Sequence, residues 1–528
     1  MKRRTLLQAG GGLAATTVAW ATACSDQPGH ASPGSGSGAV GTNSAPAQGL
    51  RPAAPAASWE ALRKGLDGKL VRAGDAAYKT ARRLYNTRYD NLKPAAIAYV
   101  RNHSDISECL AFARRYDTPV TIRNGGHSYA GWSSGNGKLI IDVSALNKVS
   151  APSGGTVRIG AGAKLIDVYE GLAPHGVTVP GGSCPTVGIS GLTLGGGHGV
   201  ASRAYGLTCD SLVGATLVTA DGKTLQCDRS HHADLFWALR GAGNGNFGVV
   251  TELRFRTHRA PRAVRAYMTW PWSKAAAVVR AWQEWGPTQP DEIWSSLHLD
   301  ARPGATPTVS VAAFSLGTYG DLQNAVDRLA DRPGGPGPAK SVSLKPSSYL
   351  DAMEAYAGCA TKSTAQCHLP GSLPGQNGSG RLGRETYAAR SDFYDRSLSP
   401  TGIRTLMDQI ERAGRKGVAG NASLTALGGA VNRVRPADTA FVHRRSRFLA
   451  QYLASWGAGG SGTAQSAWLE SVHGAMRRYA SGAAYQNYAD PGLKDWKKAY
   501  YGPAADRLTK VKRQYDPQRL FSTFPHAL

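Results

Sequence analysis

GGSCPTVGISGLTLGGGHG, residues 181–199, places one cysteine among closely spaced glycines. Glycine has no Cβ, so main-chain N–H groups in such a segment can approach a bound anion closely. Glycine also carries an entropic cost on folding that a plain connector has no reason to bear. This composition is therefore typical of backbone wrapped around a ligand.

A second glycine-rich segment lies upstream. The stretch VTIRNGGHSYAG, residues 120–131, reads as a β-rich strand that runs into a Gly-Gly turn presenting His127 and Tyr129. Taken singly, such a histidine is usually part of a plain turn, and such a cysteine is usually a small buried hydrophobe. Together they predict a ligand site built from one histidine and one cysteine.

These segments resemble the signatures of the berberine bridge enzyme-like family of FAD-linked oxidases. Three further segments resemble the family in the same order, namely DLFWALRGAGNGNFGVV at 234–250, YQNYAD at 485–490 and the stretch from YYG at 500 to YDP at 515–517. The resemblance covers most of the chain from about Leu92 onward. It implies an α+β, two-lobed FAD-binding fold of the p-cresol methylhydroxylase type, with an antiparallel-sheet substrate lobe and a C-terminal segment that returns to the FAD lobe.

The resemblance also implies a cofactor, FAD, bonded covalently to His127 through its 8α-methyl group and to Cys184 through C6. Glycine amides between residues 188 and 199 would hold the pyrophosphate. No histidine or cysteine spacing fits a metal site. The other implied cofactor-binding residues are Arg123, Asn124, Gly125, Gly126, Ser128, Gly182, Val187, Gly188, Gly191, Gly195, Gly197, Gly199, Gly248, Val250 and Asn487.

Four residues are implied to be catalytic. The base of the family is often the second tyrosine of a Tyr-x-Asn-Tyr segment, here Tyr488, with Tyr485 beside it; Tyr129 matches a second active-site tyrosine, and Gln451 resembles a strand residue that points at the substrate. A free tyrosine titrates near pH 10, so the base needs help to lose its proton. The alternative is that Tyr485 and Tyr488 only pack the lobes together.

Two departures from the family pattern bear on this site. Leu449 stands where some relatives carry a charged residue, which leaves the help given to the tyrosine base undefined. Ala504 stands where the family usually has asparagine, so one hydrogen bond to the flavin or its loop is missing.

Two competing motifs are poor matches. GNGNFG at 243–248 satisfies GxGxxG, but the dinucleotide fingerprint needs a strand before it and a helix after it, and here the predicted order is reversed. GHSYA at 126–130 misses the GxSxG elbow of serine hydrolases by its last residue.

The N-terminus has the form of an export signal over residues 1–24, and Arg3-Arg4 indicates the twin-arginine route. Cys24 follows Ala-Thr-Ala and also resembles a lipoprotein acylation site, so lipid anchoring and plain secretion stay open. Residues 25–58 are rich in Gly, Ser, Pro and Ala and read as a flexible tether.

The remaining 470 or so residues divide by pattern into an FAD-binding domain at 59–262, a substrate domain at 263–479 and a C-terminal segment at 480–528. The substrate domain reads as an antiparallel sheet with helices on one side. The strands and helix expected in the first domain are Val120–Arg123, Leu139–Val143, Val157–Ala161, the helix Leu165–Leu172, and Ser211–Thr219.

The formal net charge is +25, yet the basic residues are scattered, so a basic surface is expected and nucleic acid is not. Cys359 and Cys367, eight residues apart, can close a disulfide loop outside the cytoplasm. Cys109, Cys209 and Cys227 are expected to be buried thiols.

The chain is therefore interpreted as an exported FAD oxidase with bicovalently bound flavin, which oxidises a hydroxyl group of a sugar, oligosaccharide or bulky secondary metabolite with O2 and releases H2O2. Oxygen use is expected because Val187 is short at a position close to the reactive flavin. One alternative is a dehydrogenase that uses a quinone-type acceptor. The other is a noncatalytic envelope lipoprotein that binds glycan or flavin.

Overall fold

Two four-stranded sheets form the first lobe of the computed structural model, which describes residues 54–522 and 524–528. The predicted signal at 1–24 and most of the predicted tether lie outside the described residues. The strands of this lobe are β1 (Lys69–Arg72), β2 (Ala96–Tyr99), β3 (Val120–Arg123), β4 (Leu139–Asp142), β5 (Thr156–Gly160), β6 (Val177–Thr178), β7 (Leu212–Val218), β8 (Thr224–Cys227), β9 (Val249–Arg256) and β10 (His258–Arg259).

The first sheet has the order β1-β2-β4-β3, in which β2, β3 and β4 are parallel and β1 is antiparallel to β2. Strands β2 and β4 are buried along their whole length, as expected for parallel strands covered on both faces. The second sheet is antiparallel, with the order β5-β9-β7-β8. A short pair, β6 with β10, lies outside both sheets.

Seven helices complete the first lobe: α1 (Ala56–Gly65), α2 (Tyr78–Ala81), α3 (His103–Arg115), α4 (Leu165–Leu172), α5 (Ile189–Leu194), α6 (Ser202–Tyr205) and α7 (Ala233–Ala242). Helix α1 starts before the predicted end of the tether at residue 58, because Trp59 and Leu62 are buried in the core of this lobe. Helix α4 has the predicted bounds. Helix α7 precedes β9, so the GxGxxG match between them has the helix and strand in the wrong order for a dinucleotide fingerprint.

The second lobe is a seven-stranded antiparallel sheet with the order β14-β11-β13-β12-β16-β17-β15. Its strands are β11 (Ala263–Trp270), β12 (Ile293–Ala301), β13 (Thr308–Ser315), β14 (Ser341–Ser347), β15 (Tyr387–Tyr394), β16 (Ala419–Ala426) and β17 (Phe448–Ser455). Its helices are α8 (Ala275–Trp285), α9 (Tyr319–Ala330), α10 (Tyr349–Tyr356), α11 (Pro400–Arg415), α12 (Ala430–Arg433) and α13 (Thr463–Met476).

One face of this sheet packs against helices α8, α9, α11 and α13, which confirms the predicted arrangement. Strand β12 shows how the sequence divides the two faces. Leu297 and Leu299 point into the core beneath the helices, whereas Ser296 and His298 point the other way, into a cavity against the first lobe. This alternation follows from the period of two along a strand.

The chain then returns to the first lobe through α14 (Trp496–Tyr501) and α15 (Ala505–Tyr515). Tyr500, Leu508 and Phe521 join the core of the first lobe. None of the helices in the described part of the chain is long and apolar enough to cross a membrane.

The structure pairs Cys359 with Cys367 in a disulfide, with their Cα atoms 6.0 Å apart. Cys109, Cys209 and Cys227 are buried and form no disulfide, as expected.

Candidate active site

A cavity of about 360 Å³ lies where the two lobes meet. Three parts of the chain form most of its wall: the two glycine-rich segments of the first lobe, the face of the seven-stranded sheet opposite α8, α9, α11 and α13, and the turn at residues 485–489. Both residues predicted to bond the cofactor, His127 and Cys184, line it. Segments far apart in sequence therefore meet at one site, as the resemblance implies.

His127 follows strand β3 on a turn that Gly126 makes possible by its positive φ of 69°. The imidazole stacks on Tyr85 with ring centroids 3.9 Å apart, and its Nε2 lies 2.8 Å from the Thr186 hydroxyl. Burial in the cavity wall, with a smaller effect from nearby Lys164, lowers the pKa of His127 to about 3. The ring is therefore neutral and keeps a lone pair that can attack an electrophile.

Cys184 lies in the loop before α5, on the same cavity wall as Val187.

Five consecutive amides, at Gly125, Gly126, His127, Ser128 and Tyr129, donate hydrogen bonds to no atom of the described residues. The residues that carry them line the cavity. A run of N–H groups without protein acceptors is a site for an anion, because each buried donor otherwise costs free energy. The residues present therefore fit the pyrophosphate of FAD, with these amides as its donors.

The prediction that amides between residues 188 and 199 hold the pyrophosphate is wrong for the four that already have protein acceptors. The Gly195 and Gly196 amides donate to the Thr193 carbonyl. The Gly197 amide donates to the Tyr485 hydroxyl at 2.9 Å, and the Gly199 amide donates to the Ser202 hydroxyl at 2.8 Å. These glycines are required by close packing instead. A Cβ on Gly199 would lie 1.8 Å from the Gly181 carbonyl oxygen.

Five predicted cofactor residues do not reach the cavity wall: Arg123, Gly195, Gly197, Gly248 and Val250. Arg123 is buried behind the loop, where it pairs with Asp142 and contacts the Tyr99 hydroxyl. Val250 is a core residue of β9. These positions were predicted because they belong to the motifs. In the structure they support the conformation of the loops and do not line the cavity.

The other predicted cofactor residues do line the cavity: Asn124, Gly125, Gly126, Ser128, Gly182, Val187, Gly188, Gly191, Gly199 and Asn487. Asn124 is held by Lys164, whose Nζ donates to its Oδ1 at 2.6 Å. Asn487 donates to the Leu192 carbonyl and the Tyr485 hydroxyl, each at 2.9 Å. These bonds fix the C-terminal turn on helix α5.

The four predicted catalytic residues converge on the cavity. Gln451 Nε2 donates to the Tyr129 hydroxyl at 2.8 Å, and the rings of Tyr129 and Tyr488 lie 5.0 Å apart. Burial raises the pKa of Tyr129, and it raises the pKa of Tyr488 with smaller contributions from Tyr129 and Tyr485. Neither phenol can ionise here without a specific partner for its proton.

The Tyr488 hydroxyl contacts His198, a cavity residue that sequence reasoning missed. Its Nε2 lies 2.7 Å from the Tyr488 hydroxyl, and burial lowers the pKa of the imidazole to about 4. The signal was present in the sequence, because His198 stands inside the glycine-rich segment 181–199. Only the fold brings it to Tyr488.

Tyr485 is almost fully buried at 2% exposure, and its hydroxyl already contacts both the Gly197 amide and Asn487. Its ring packs among Phe393 and Phe441. The contacts therefore place Tyr485 as an anchor of the glycine-rich segment rather than as a reacting group.

The sheet contributes a polar wall. Ser296, His298, Ser423, Thr425 and Gln451 face the cavity from β12, β16 and β17, and their register puts Ser423 opposite both His298 and Gln451. Trp294 Nε1 and His298 Nδ1 are buried and have no hydrogen-bond partner among the described residues. Buried polar atoms of this kind fit a polar ligand.

Comparison with known proteins places these features in a family. A model for an FAD binding domain matches residues 94–228, and a model described as berberine and berberine like matches residues 484–525. The uncharacterized FAD-linked oxidoreductase YgaK of Bacillus subtilis is 32% identical over 465 residues, which is 86% of this chain and 96% of that relative.

The chitooligosaccharide oxidase of Gibberella zeae is 29% identical over 474 residues, covering 85% of this chain and 90% of the relative. The solved structure of Physcomitrella patens BBE-like 1 superposes with a TM-score of 0.79 at 28% identity, covering 89% of this chain and 98% of that chain. The chain belongs to the berberine bridge enzyme-like family of FAD-linked oxidoreductases. Its two-lobed fold, its enzyme class and its FAD binding are those predicted from the sequence.

Proposed function

We propose that this enzyme is an oxidase that holds FAD through two covalent bonds, at His127 and Cys184, and oxidises a hydroxyl group of its substrate. The observation that carries the proposal is the convergence of His127, Cys184, Tyr129, Gln451 and Tyr488 on one cavity wall. FAD, when bound, accepts a hydride from the substrate carbon and returns two electrons to O2, giving H2O2.

The chain's own residues supply the remaining steps. The free amides from Gly125 to Tyr129 hold the pyrophosphate, and neutral His127 supplies the nucleophile for one covalent bond. Tyr488 takes the hydroxyl proton of the substrate. Gln451 donates to the Tyr129 hydroxyl and so orients it in the cavity.

We propose a sugar or oligosaccharide as the first substrate class to test, ahead of bulky secondary metabolites. The polar face of the sheet supports this choice, because hydroxyl, amide and imidazole groups alternate along it and the Trp294 and His298 donors lack protein partners. A substrate with several hydroxyl groups can satisfy them. Some relatives are oligosaccharide oxidases, and the chitooligosaccharide oxidase aligns along nearly the whole chain.

The test is a screen for peroxide release with cellobiose, xylobiose, chitobiose and a set of aromatic alcohols. Peroxide formed with at least one disaccharide, in step with aldehyde or lactone product, supports the proposal. Turnover that needs an added quinone and is absent with O2 would favour the dehydrogenase alternative. A colourless protein would favour the noncatalytic binding lipoprotein.

We also propose export by the twin-arginine route, on the strength of Arg3-Arg4 in the predicted signal. This route carries folded proteins, which suits an enzyme that must acquire its flavin first. Lipidation of Cys24 would anchor the exported protein at the outer face of the membrane, and a Cys24→Ser variant released from membranes distinguishes that form from a soluble secreted one.

A further inference from the structure

The structure assigns His198 a role that rests on the proposed function: it is a positioning residue that accepts the proton of Tyr488 and so lets the phenol act as a base. The Tyr488 hydroxyl lies 2.7 Å from His198 Nε2 and has no other polar partner among the described residues. His198 Nε2 is therefore the protein atom that can accept a proton from Tyr488 inside the cavity.

The direction of the hydrogen bond follows from what a base requires. If His198 Nε2 carried a hydrogen, it would donate to the Tyr488 oxygen, and the phenolic proton would have no acceptor. If Nε2 is unprotonated, the phenol donates to it, and the lone pairs of the phenolic oxygen stay free for the substrate hydroxyl. We therefore infer the neutral tautomer of His198 with its hydrogen on Nδ1.

The proton balance is simple. The substrate hydroxyl hydrogen passes to the Tyr488 oxygen as the phenolic hydrogen passes to His198 Nε2, so an imidazolium forms while the carbon gives its hydride to FAD. The phenol ends as it began. Loss of the extra proton from His198 to solvent resets the pair for the next substrate.

The environment keeps both partners of this contact neutral until the substrate reacts. The titratable groups that face His198 are the phenols of Tyr485 and Tyr488, with ring centroids 5.5 and 5.7 Å from the imidazole. Burial raises the pKa of both phenols and lowers the pKa of His198 to about 4. Leu449, which also lines the cavity, adds no charge to it.

The position of His198 is fixed from both sides. Gly197, with a φ of 83°, turns the chain and is held by the Tyr485 hydroxyl, and Gly199 is clamped against the Gly181 carbonyl. Tyr485 and Tyr488 therefore contact two adjacent residues of one segment, Gly197 and His198. This rigidity is what a 2.7 Å proton-transfer contact needs.

The first test is a double-mutant cycle on the flavinylated holoenzyme, in which flavin reduction is followed anaerobically with the disaccharide selected by the peroxide screen. His198→Gln keeps a hydrogen-bond acceptor but cannot hold an added proton. We expect it to slow reduction by about 10- to 100-fold, the size of one hydrogen bond to a charged group. In a Tyr488→Phe background the same substitution should change the rate by less than about 2-fold. Equal losses in both backgrounds would overturn the inference.

The pH profile separates this role from a structural one. Without His198 as acceptor, Tyr488 must release its proton to solvent, so reduction in His198→Gln should keep rising to higher pH than in the wild type. A profile that keeps its shape while only its height changes contradicts the role. If Tyr488→Phe alone leaves reduction unchanged, the proposed base has failed, which is a different outcome from an uncoupled cycle.

A second measurement needs no substrate. Histidine ¹⁵N NMR of the holoenzyme, with the His198 signals identified by their loss in His198→Gln, should show an unprotonated Nε2 and a protonated Nδ1. Tyr488→Phe should shift the Nε2 signal, since that atom loses its donor. A hydrogen found on Nε2, or a charged ring at neutral pH, would exclude His198 as the acceptor.

Discussion

Gln451 Nε2 donates to the Tyr129 hydroxyl at 2.8 Å, and this bond joins strand β17 of the second lobe to the loop that carries His127. Neither lobe alone contains the site. The sheet supplies Gln451 and the polar wall, the first lobe supplies the cofactor loops, and the C-terminal turn supplies Tyr488. Activity should therefore depend on the register between lobes as much as on any single residue.

Replacing Tyr488 with Phe should preserve the fold and the flavin while slowing flavin reduction by about 10²–10⁴-fold, the range usual for losing a general base. Only the hydroxyl contacting His198 is removed. Stopped-flow absorbance of the flavin measures the rate. Tyr485→Phe is the comparison, because it leaves the Gly197 amide without its acceptor and should cost stability, about 1–3 kcal/mol, more than rate. Equal rates of flavin reduction in Tyr488→Phe and wild type would show that Tyr488 serves packing and is not the base.

We expect Val187 to control oxygen access, since it lines the same cavity as Cys184. Val187→Leu adds about one methylene in a packed wall and should slow reoxidation by O2 with substrate-driven reduction little changed. Val187→Ala should change reoxidation in the opposite sense or leave it fast. Reduced enzyme mixed with oxygenated buffer gives the rate. Sluggish reoxidation of the wild type by O2, together with rapid reoxidation by a quinone, would favour the dehydrogenase.

Gly199→Ala should destabilise the protein by about 1–3 kcal/mol or prevent folding, because the new Cβ would fall 1.8 Å from a backbone oxygen. Any shift of the segment also displaces His198. The matched control is Gly474→Ala in helix α13, where nothing lies within 4 Å and alanine should stabilise the helix by about 0.5–1 kcal/mol. Thermal unfolding compares the two. Equal unfolding midpoints for Gly199→Ala and wild type would show that the segment accommodates a Cβ at residue 199, which would contradict the prediction.

Replacing Arg3 and Arg4 with Lys should leave the protein in the cytoplasm with its flavin attached, because the pair is read by a receptor and takes no part in catalysis. Lys2→Arg is the control and should be exported normally. Cell fractionation with a flavin fluorescence stain locates each form. Export of the Lys-Lys variant at the wild-type level would remove the basis for the twin-arginine route.

The lobes, their order and several elements were predictable because periodicity and glycine placement are local properties. Helix α4 has its predicted bounds, and β3 does as well. The site was predictable only where a motif carried it. Arg123 and Val250 share motifs with cavity residues yet do not line the cavity, because Arg123 pairs with Asp142 and Val250 packs in the core of the first lobe.

His198 and the polar wall show the other limit. The role inferred for His198 depends on its contact with Tyr488, which lies 290 residues away in sequence. Trp294 and His298 carry no motif, and only the place of β12 in the sheet sets them over the cavity. The free amides at 125–129 could not be told from bonded ones before the loop geometry was known.

The covalent attachment of flavin tests the central claim most directly, through denaturation with acid and inspection of the precipitate. The account predicts a yellow pellet from the wild type and from each of His127→Ala and Cys184→Ala, with absorption maxima that differ between the two single variants. It predicts a colourless pellet and free flavin in the supernatant for the double variant. Flavin released from the wild type, or retained by the double variant, would contradict the assignment of both bonds.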